Sequence, residues 1–401
     1  MRILILCNKP PYPPKDGGAI GIFNLSRTLA SMGHSVLILA MNTNKHKVQD
    51  TEVVSISNFS IKYVKINTDI KPLKALKNLL FSKLPYIAER FISEEYINDL
   101  KKILTQNLFD VVQFEGPYLW YCIETVKGMS KSKISMKSHN IEYEIWRRSA
   151  QLEKNLLKKL YLYNLASRIE KFETSLYNRF DYIYAVTPRD KEVFLKMGVT
   201  KPILIVPTGI DPPKKDYIPG LNNNSIFHLG ALDWMPNQEG LLWFIEKIWP
   251  GVQSKYPDLK FHIAGRNAPS WLVKRFAKHN IIYHGEIEDS YDFICKAGIM
   301  IVPILSGSGM RVKIVEGMSL GKPIITTSIG AEGLDVKDGV DILIADTVEE
   351  FKAKLSLLID DNELAITLSF NARKNALEKY NNKDIAKKVV EFYKANGVIH
   401  E

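Results

Sequence analysis

The sequence predicts an α/β protein of two Rossmann-like, doubly wound domains facing a cleft, and three observations carry that expectation. Short aliphatic runs alternate with helical stretches along the whole chain. At 401 residues the chain is long for a single core. Near its middle, Pro207-Thr208-Gly209-Ile210-Asp211-Pro212-Pro213 and the polar run through Asn222-Asn223-Asn224 interrupt the alternation, as a boundary between domains does.

The first half opens with an apolar run at 3–7, a helical stretch at 20–32 stopped by Gly33, and a second apolar run at 36–40. Together these make one βαβ unit. Further strands are expected at 53–66, broken around Asn58, and at 110–114, 134–137, 182–186 and 203–206. The stretch 142–179 is charged, free of proline and reads as helix. The second half repeats the alternation, with strands at 225–230, 260–265, 281–285, 299–304, 323–327 and 342–345. Helices are expected between them at 238–255, 270–278, 291–296, 311–319 and 348–358. Ile385, Val389 and Phe392 mark one face of a last helix. The expected division is therefore an N-terminal domain over 1–208, a C-terminal domain over 209–380, and a closing helix over 381–401 that crosses back to the first domain.

Composition narrows the function. The hydrophobic content of 46 % is ordinary for a globular protein. No apolar run approaches the roughly 20 residues that span a bilayer. The first apolar run is too short for a signal peptide and reads as a strand. Three scattered cysteines, Cys7, Cys122 and Cys295, form neither a disulfide framework nor a metal spacing, which suits a reducing cytoplasm. The net charge of +10 suits nucleic acid, an anionic membrane or an anionic substrate. Because the lysines are spread out and no aromatic-interleaved basic motif occurs, nucleic acid ranks last. Between 71 and 83, Lys71, Lys74 and Lys77 lie on one helical side and Leu73, Leu76 and Leu80 on the other. That pattern fits a helix at an anionic membrane surface and equally an ordinary amphipathic helix.

The most informative segment is Ser306-Gly307-Ser308-Gly309-Met310-Arg311-Val312-Lys313-Ile314-Val315-Glu316, which leaves through Gly321-Lys322-Pro323 into an apolar strand. Small residues let a ligand approach the backbone. A helix start offers unpaired N–H groups and partial positive charge to a phosphate. Arg311 and Lys313 add full charge, and Glu316 lies about 7.5 Å further along the axis. That step matches the distance from a diphosphate to ribose hydroxyls, so Ser308, Gly309, Met310, Arg311, Lys313 and Glu316 are the candidate nucleotide-diphosphate site.

Other residues extend the pattern. Gly17 and Gly18 precede the first helix, Gly33-His34-Ser35-Val36 follows it, and Gly230, Gly265 and Gly285 end or follow strands of the second half. With Pro207-Thr208-Gly209-Ile210-Asp211 and the Gly-Lys-Pro exit, the chain resembles the retaining GT-B glycosyltransferases called family 4, or glycosyl transferases group 1. It departs from that family's pattern in one region. Of the usual Glu-x7-Glu pair only Glu316 is present, Ser308 standing in the first position. The usual Arg and Lys after the first strand of the second domain are replaced by Ala231 and Asn237. Two cations are missing from one loop while two appear at Arg311 and Lys313, so the positive charge has moved between elements.

The resemblance implies transfer of a sugar from a nucleotide-diphosphate sugar, UDP- or GDP-linked, to a glycan or lipid-linked acceptor in bacterial surface polysaccharide or glycolipid synthesis. It implies retention of configuration, no cofactor and no metal, and work in the cytoplasm at the inner membrane face. Glu316 would hold the ribose, Arg311 and Lys313 the diphosphate, and His139, just after the strand at 134–137, would face the sugar. Gly17, Gly18, Gly230, Asn237 and Arg266 would line the substrate, Arg266 near the base. Two alternatives stand beside this reading: a non-hydrolysing nucleotide-sugar epimerase of the same fold, and a non-catalytic nucleotide-sugar-binding protein.

Overall fold

The computed structural model describes residues 1–14, 16–48, 56–213, 224–307 and 309–398. The start of the strand expected at 53–66, Asn222 and Asn223 of the interdomain run, and Ser308 lie outside the described residues. The chain divides into two compact units, one of Met1–Gly209 with Asn382–Glu401 and one of Ile210–Asn381.

The first unit is a parallel sheet of seven strands: β1 (Arg2–Cys7), β2 (Ser35–Thr43), β3 (Phe59–Ile66), β4 (Val111–Glu115), β5 (Lys133–Ser138), β6 (Tyr182–Ala185) and β7 (Ile203–Ile205). Their order is β3-β2-β1-β4-β5-β6-β7. The order reverses between β1 and β4, and in open α/β sheets ligands bind outside the carboxyl ends of the strands at such a switch point. The helix Asn382–Ala395 belongs to this unit, burying Ile385, Val389 and Tyr393 among Ile22, Leu25 and Tyr184. Phe392 is only partly buried and meets Tyr182 edge-on at 5.4 Å.

The second unit is a six-stranded parallel sheet of β8 (Ser225–Leu229), β9 (Lys260–Ala264), β10 (Ile282–Tyr283), β11 (Ile299–Val302), β12 (Ile324–Thr326) and β13 (Leu343–Ile344). The order β10-β9-β8-β11-β12-β13 places its switch point between β8 and β11. Both sheets are buried on both faces, which is why their strands read as continuous aliphatic runs rather than alternating ones. At the strand ends the backbone is packed closely: a Cβ on Gly265 would lie 1.8 Å from the carbonyl oxygen of Gly230. Only glycine permits the loops after β8 and β9 to approach that far.

Several elements differ from the sequence expectation, each for a local reason. Gly17 and Gly18 do not precede the first helix but open it, because the side chain of Asp16 caps Gly17–Ser31 by accepting from the Ala19 N–H at 2.9 Å. The stretch 142–179 is two helices, Glu142–Leu152 and Leu156–Tyr177. At the break Glu153 accepts from the Asn155 N–H and Asn155 from the Lys158 N–H, each at 3.0 Å, so side chains satisfy backbone groups that a continuous helix would use. The second helix then supplies Glu173, whose carboxylate accepts from the Glu142 and Tyr143 N–H groups at the start of the first. The expected helix at 238–255 is Met235–Trp243, a π-type turn over Phe244–Ile248, and Trp249–Lys255, with Pro236 and Pro250 each inside a first turn. Among the helices that the sequence expectation does not include are Glu94–Gln106, Ile123–Met129, Pro188–Lys196 and Asn362–Lys379.

The Gly-Lys-Pro exit has a structural role. Lys322 is 2 % exposed and donates to the carbonyls of Cys295 (3.0 Å) and Ala297 (2.6 Å). Its ammonium thus satisfies carbonyls left over at the end of the helix Ser290–Lys296.

Candidate nucleotide-sugar site

The segment after β11 and the loop after β8 converge at the switch point of the second unit. The helix runs Val312–Ser319, so Arg311 is its N-terminal flanking residue rather than part of its first turn. The N–H groups of Gly309 and Met310 make no hydrogen bond among the described residues, which leaves them available to an anion. Gly309 holds φ at +82°, a left-handed conformation that other residues seldom adopt.

Arg311 is buried. Its Nη1 donates to the Gly309 carbonyl and its guanidinium lies 5.6 Å over the Trp234 ring. The side chain therefore braces the loop it follows against the tryptophan that flanks the helix Met235–Trp243.

Lys313 reaches away from its own helix to the end of β8 and the first turn of the helix Met235–Trp243. Its Nζ is 2.8 Å from Asn237 Oδ1 and 3.4 Å from His228 Nε2. The geometry is oriented from behind on both sides. Asn237 donates from Nδ2 to the Ala231 carbonyl at 2.8 Å, which turns Oδ1 toward the lysine. His228 Nδ1 lies 3.0 Å from the Ile301 carbonyl and donates to it, so Nε2 is the accepting nitrogen. The i, i+3 ion pair between Lys313 and Glu316 that the sequence allows does not form. No hydrogen bond or ion pair to the Glu316 carboxylate occurs among the described residues.

Electrostatics follow from this packing. Burial, then the neighbouring charge of Arg311, lowers the Lys313 ammonium to about 7. Burial raises the Glu316 carboxyl to about 7, against the pull of Lys313. Burial, and next the charge of Lys313, hold His228 neutral. The native state thus gives up the Lys313 proton in the window from about 7 to 10.5, where the unfolded chain keeps it. Stability from this group rises with pH across that window. The Glu316 carboxyl keeps its proton from 4.5 to about 7 only in the native state, so its contribution falls with pH there. Both groups burden the unliganded fold most near neutrality, and a bound anion would relieve Lys313.

A nucleoside diphosphate is accordingly expected to bind with proton uptake above pH 7, and its affinity to fall by up to about tenfold per pH unit above that point. Calorimetry in buffers of different ionisation enthalpy, in a Glu316→Gln background that removes the second titration, reads the uptake. A Lys313→Arg variant, charged at every pH in the range, should flatten the slope.

Of the remaining expected residues, Gly230 lies beside this cluster: a Cβ there would be 2.7 Å from Lys313 Nζ. Arg266 is half-buried, and its carbonyl accepts from the Leu232 N–H at 2.9 Å, tying the loops after β9 and β8 together. Gly17, Gly18 and His139 lie in the first unit, at the carboxyl ends of β1 and β5. There Lys9 pairs with Asp16 at 2.6 Å, a Cβ on Gly18 would lie 3.2 Å from Lys9 Nζ, and His139 Nε2 is 2.6 Å from Glu115 Oε2. Sequence reading passed over His228 as a strand residue and did not weigh Glu115. The signal was a polar or charged residue inside an aliphatic strand. No group of side chains suited to a metal ion occurs among the described residues.

Residues 223–361 match the family described as glycosyl transferases group 1, and residues 15–214 match Glycosyltransferase Family 4. A Klebsiella pneumoniae relative described as an uncharacterized 44.6 kDa protein in the cps region is 25 % identical over 399 residues, covering 96 % of this chain and 97 % of the relative. Sucrose-phosphate synthase from Thermosynechococcus elongatus superposes with a TM-score of 0.71 at 15 % identity, over 98 % of this chain and 99 % of that one. Anabaena HepE, solved with UDP-glucose, gives a TM-score of 0.68 at 14 % identity, over 98 % and 100 %. With glycosyltransferase domains matched in both halves and two Rossmann-like units of that fold, the chain is a GT-B glycosyltransferase.

Proposed function

We propose that the chain is a retaining, metal-independent hexosyltransferase of family 4 that moves a sugar from a UDP- or GDP-linked donor to a glycan or lipid-linked acceptor. The observation that carries this reading is the Lys313 ammonium, held between Asn237 and His228 at the end of β8, with the uncommitted Glu316 carboxylate one helical turn on. The ammonium and the amides of Gly309 and Met310 face the oxygens on which charge develops as the glycosidic bond breaks. Arg311 stiffens the loop that presents those amides. Glu316 accepts from the ribose hydroxyls. The Lys313 ammonium, fixed by the protein, takes the place of a divalent ion at the leaving group. Gly17, Gly18 and His139 serve the sugar and acceptor end of the reaction, and Arg266 flanks the base. A Klebsiella relative of the cps region supports a role in surface polysaccharide synthesis.

The test is incubation with UDP- and GDP-sugars and a panel of lipid-linked and free glycans. Acceptor-dependent release of nucleoside diphosphate, with the donor's anomeric configuration kept in the product and no loss of activity in EDTA, is the expected result. An epimerised donor formed without acceptor, or tight nucleotide binding with no turnover on any acceptor, defeats it.

We further propose that the first unit rests on an anionic membrane surface, where a lipid-linked acceptor would be met. On the helix Pro72–Phe81 Leu73 is 83 % and Phe81 81 % exposed, with Leu76, Leu80 and the lysines at 71, 74 and 77 also exposed. Asn78 is the inward anchor: Arg168 donates to its Oδ1 and to the carbonyls of Ser82 and Leu84, each at 2.8 Å. Leu157 and Tyr161, eleven and seven residues before Arg168 and so on its face of the helix, are exposed too. Apolar side chains beside lysines are the chemistry of an interfacial helix. Vesicles containing anionic phospholipid should retain the protein at low salt and release it at high salt, while Leu73→Glu with Leu80→Glu should abolish retention. Equal binding to purely zwitterionic vesicles would count against a charge-selective surface. No helix among the described residues is long and apolar enough to cross a membrane.

A further inference from the structure

The carboxyl ends of β1, β4 and β5 carry a buried charge cluster that the proposed reaction does not yet use. Cys7, Glu115 and Lys137 are partners in register on the three neighbouring strands, so their side chains share one face of the sheet. The Glu115 side chain is 1 % exposed, while that of His139, two residues beyond Lys137, is 19 % exposed. Glu115 Oε2 lies 2.6 Å from His139 Nε2, and its Oε1 accepts from Gln113 Nε2. Lys137 is fully buried, and its Nζ has no hydrogen-bond partner among the described residues.

Burial by itself pushes the Glu115 carboxyl up. The hydrogen bond and charge of His139, and then the charge of Lys137, outweigh burial and hold the carboxyl below its ordinary value. Burial lowers the Lys137 ammonium, and Glu115 counters that. Two ionisable groups are thus held inside the sheet where aliphatic side chains would pack at lower cost. What this arrangement provides is one carboxylate aimed at one ring nitrogen of the partly exposed histidine at the strand end. Glu142 also acts on that ring electrostatically from the next helix, and Lys9 acts on Glu142.

We infer that Glu115, its charge supported by Lys137, is a positioning residue for His139: its carboxylate accepts a hydrogen bond from the Nε2–H, keeps the proton on that nitrogen and so presents Nδ1 as the ring's accepting nitrogen. In a neutral imidazole one nitrogen donates and the other accepts, and the bond made by the first decides the role of the second. His139 is thereby set to accept from a sugar or acceptor hydroxyl, and its ring plane is fixed. This inference rests on the reading of His139 as a residue of the reaction site, and the experiment separates the two.

The experiment uses the full chain with 15N-labelled histidine rings at pH 8, the His139 signals being identified by their loss in His139→Ala. In the natural sequence His139 should show the Nε2–H tautomer. In Glu115→Gln, whose amide can also donate to Nε2, the populations should shift toward Nδ1–H. Turnover should fall about 10–100-fold, taking as the scale the cost of removing a carboxylate behind a metal-ligating histidine, with KM for the nucleotide sugar little changed. The same substitution in a His139→Ala background should cost nothing further. Glu115→Asp, which keeps the charge but shortens the reach, provides a second reading if the glutamine variant does not fold; it too should shift the tautomers. An unchanged tautomer in whichever variant folds, or losses that simply add in the double variant, overturns the inference. A shifted tautomer with undiminished turnover upholds the positioning and instead removes His139 from the reaction.

Discussion

Lys313→Met is expected to lower kcat/KM for the nucleotide sugar by about 10²–10³-fold, corresponding to roughly 2.7–4 kcal/mol, the loss seen when one preorganised donor is taken from a developing oxyanion. The substitution keeps most of the side chain's length and removes only the ammonium. It also leaves Asn237 and His228 in place, since each is held by its own backbone carbonyl, Ala231 and Ile301. The unliganded protein should respond in the opposite direction. A cation depressed by burial and by its Arg311 neighbour is a burden before a ligand arrives, so its removal should raise the Tm. A rise in Tm with a fall in activity is the signature of a charge kept for a ligand. The matching measurement is thermal unfolding with and without UDP or GDP, the natural sequence gaining more from the nucleotide than the variant. If Lys313→Met turns over its donor normally, the proposed transfer of positive charge from the loop after β8 to the facing helix is wrong.

Arg311→Ala is expected to cost about 2–4 kcal/mol of transition-state stabilisation. The route differs from that of Lys313. The Arg311 side chain holds the Gly309 carbonyl and covers Trp234, so its loss loosens the turn that aims the Gly309 and Met310 amides. Arg311→Lys should recover little of the activity, because an ammonium cannot lie flat on an indole while donating sideways to a carbonyl. Single-turnover kinetics with a saturating donor would show the defect in the chemical step. Full rescue by lysine would make Arg311 a plain charge rather than a brace.

The alternation of strands and helices was legible because both faces of each sheet are covered, which writes the strands as unbroken aliphatic runs. The same rule hid helix breaks. Nothing apolar changes at Glu153-Lys154-Asn155, and only the side-chain caps there show that the chain turns. The Gly309–Glu316 segment stands out by residue type and spacing, since a glycine loop, two cations and a carboxylate at a helix start are the groups an anion site would use. What the spacing did not give was the direction of each side chain. On a free helix, Lys313 and Glu316 would be neighbours that pair.

By itself the sequence determined two doubly wound units, the division between them near residue 209 and the segment that bears the charges, because these depend on periodicity, composition and local turn chemistry. Tertiary structure alone decided that Lys313 turns from Glu316 to Asn237, that Arg311 lies over Trp234, that Lys322 closes a helix end, and that Glu115 meets His139. Each of these contacts joins residues far apart in the chain or selects one rotamer among several. Such choices are made by burial and by unsatisfied backbone groups, which appear only once the sheets have formed.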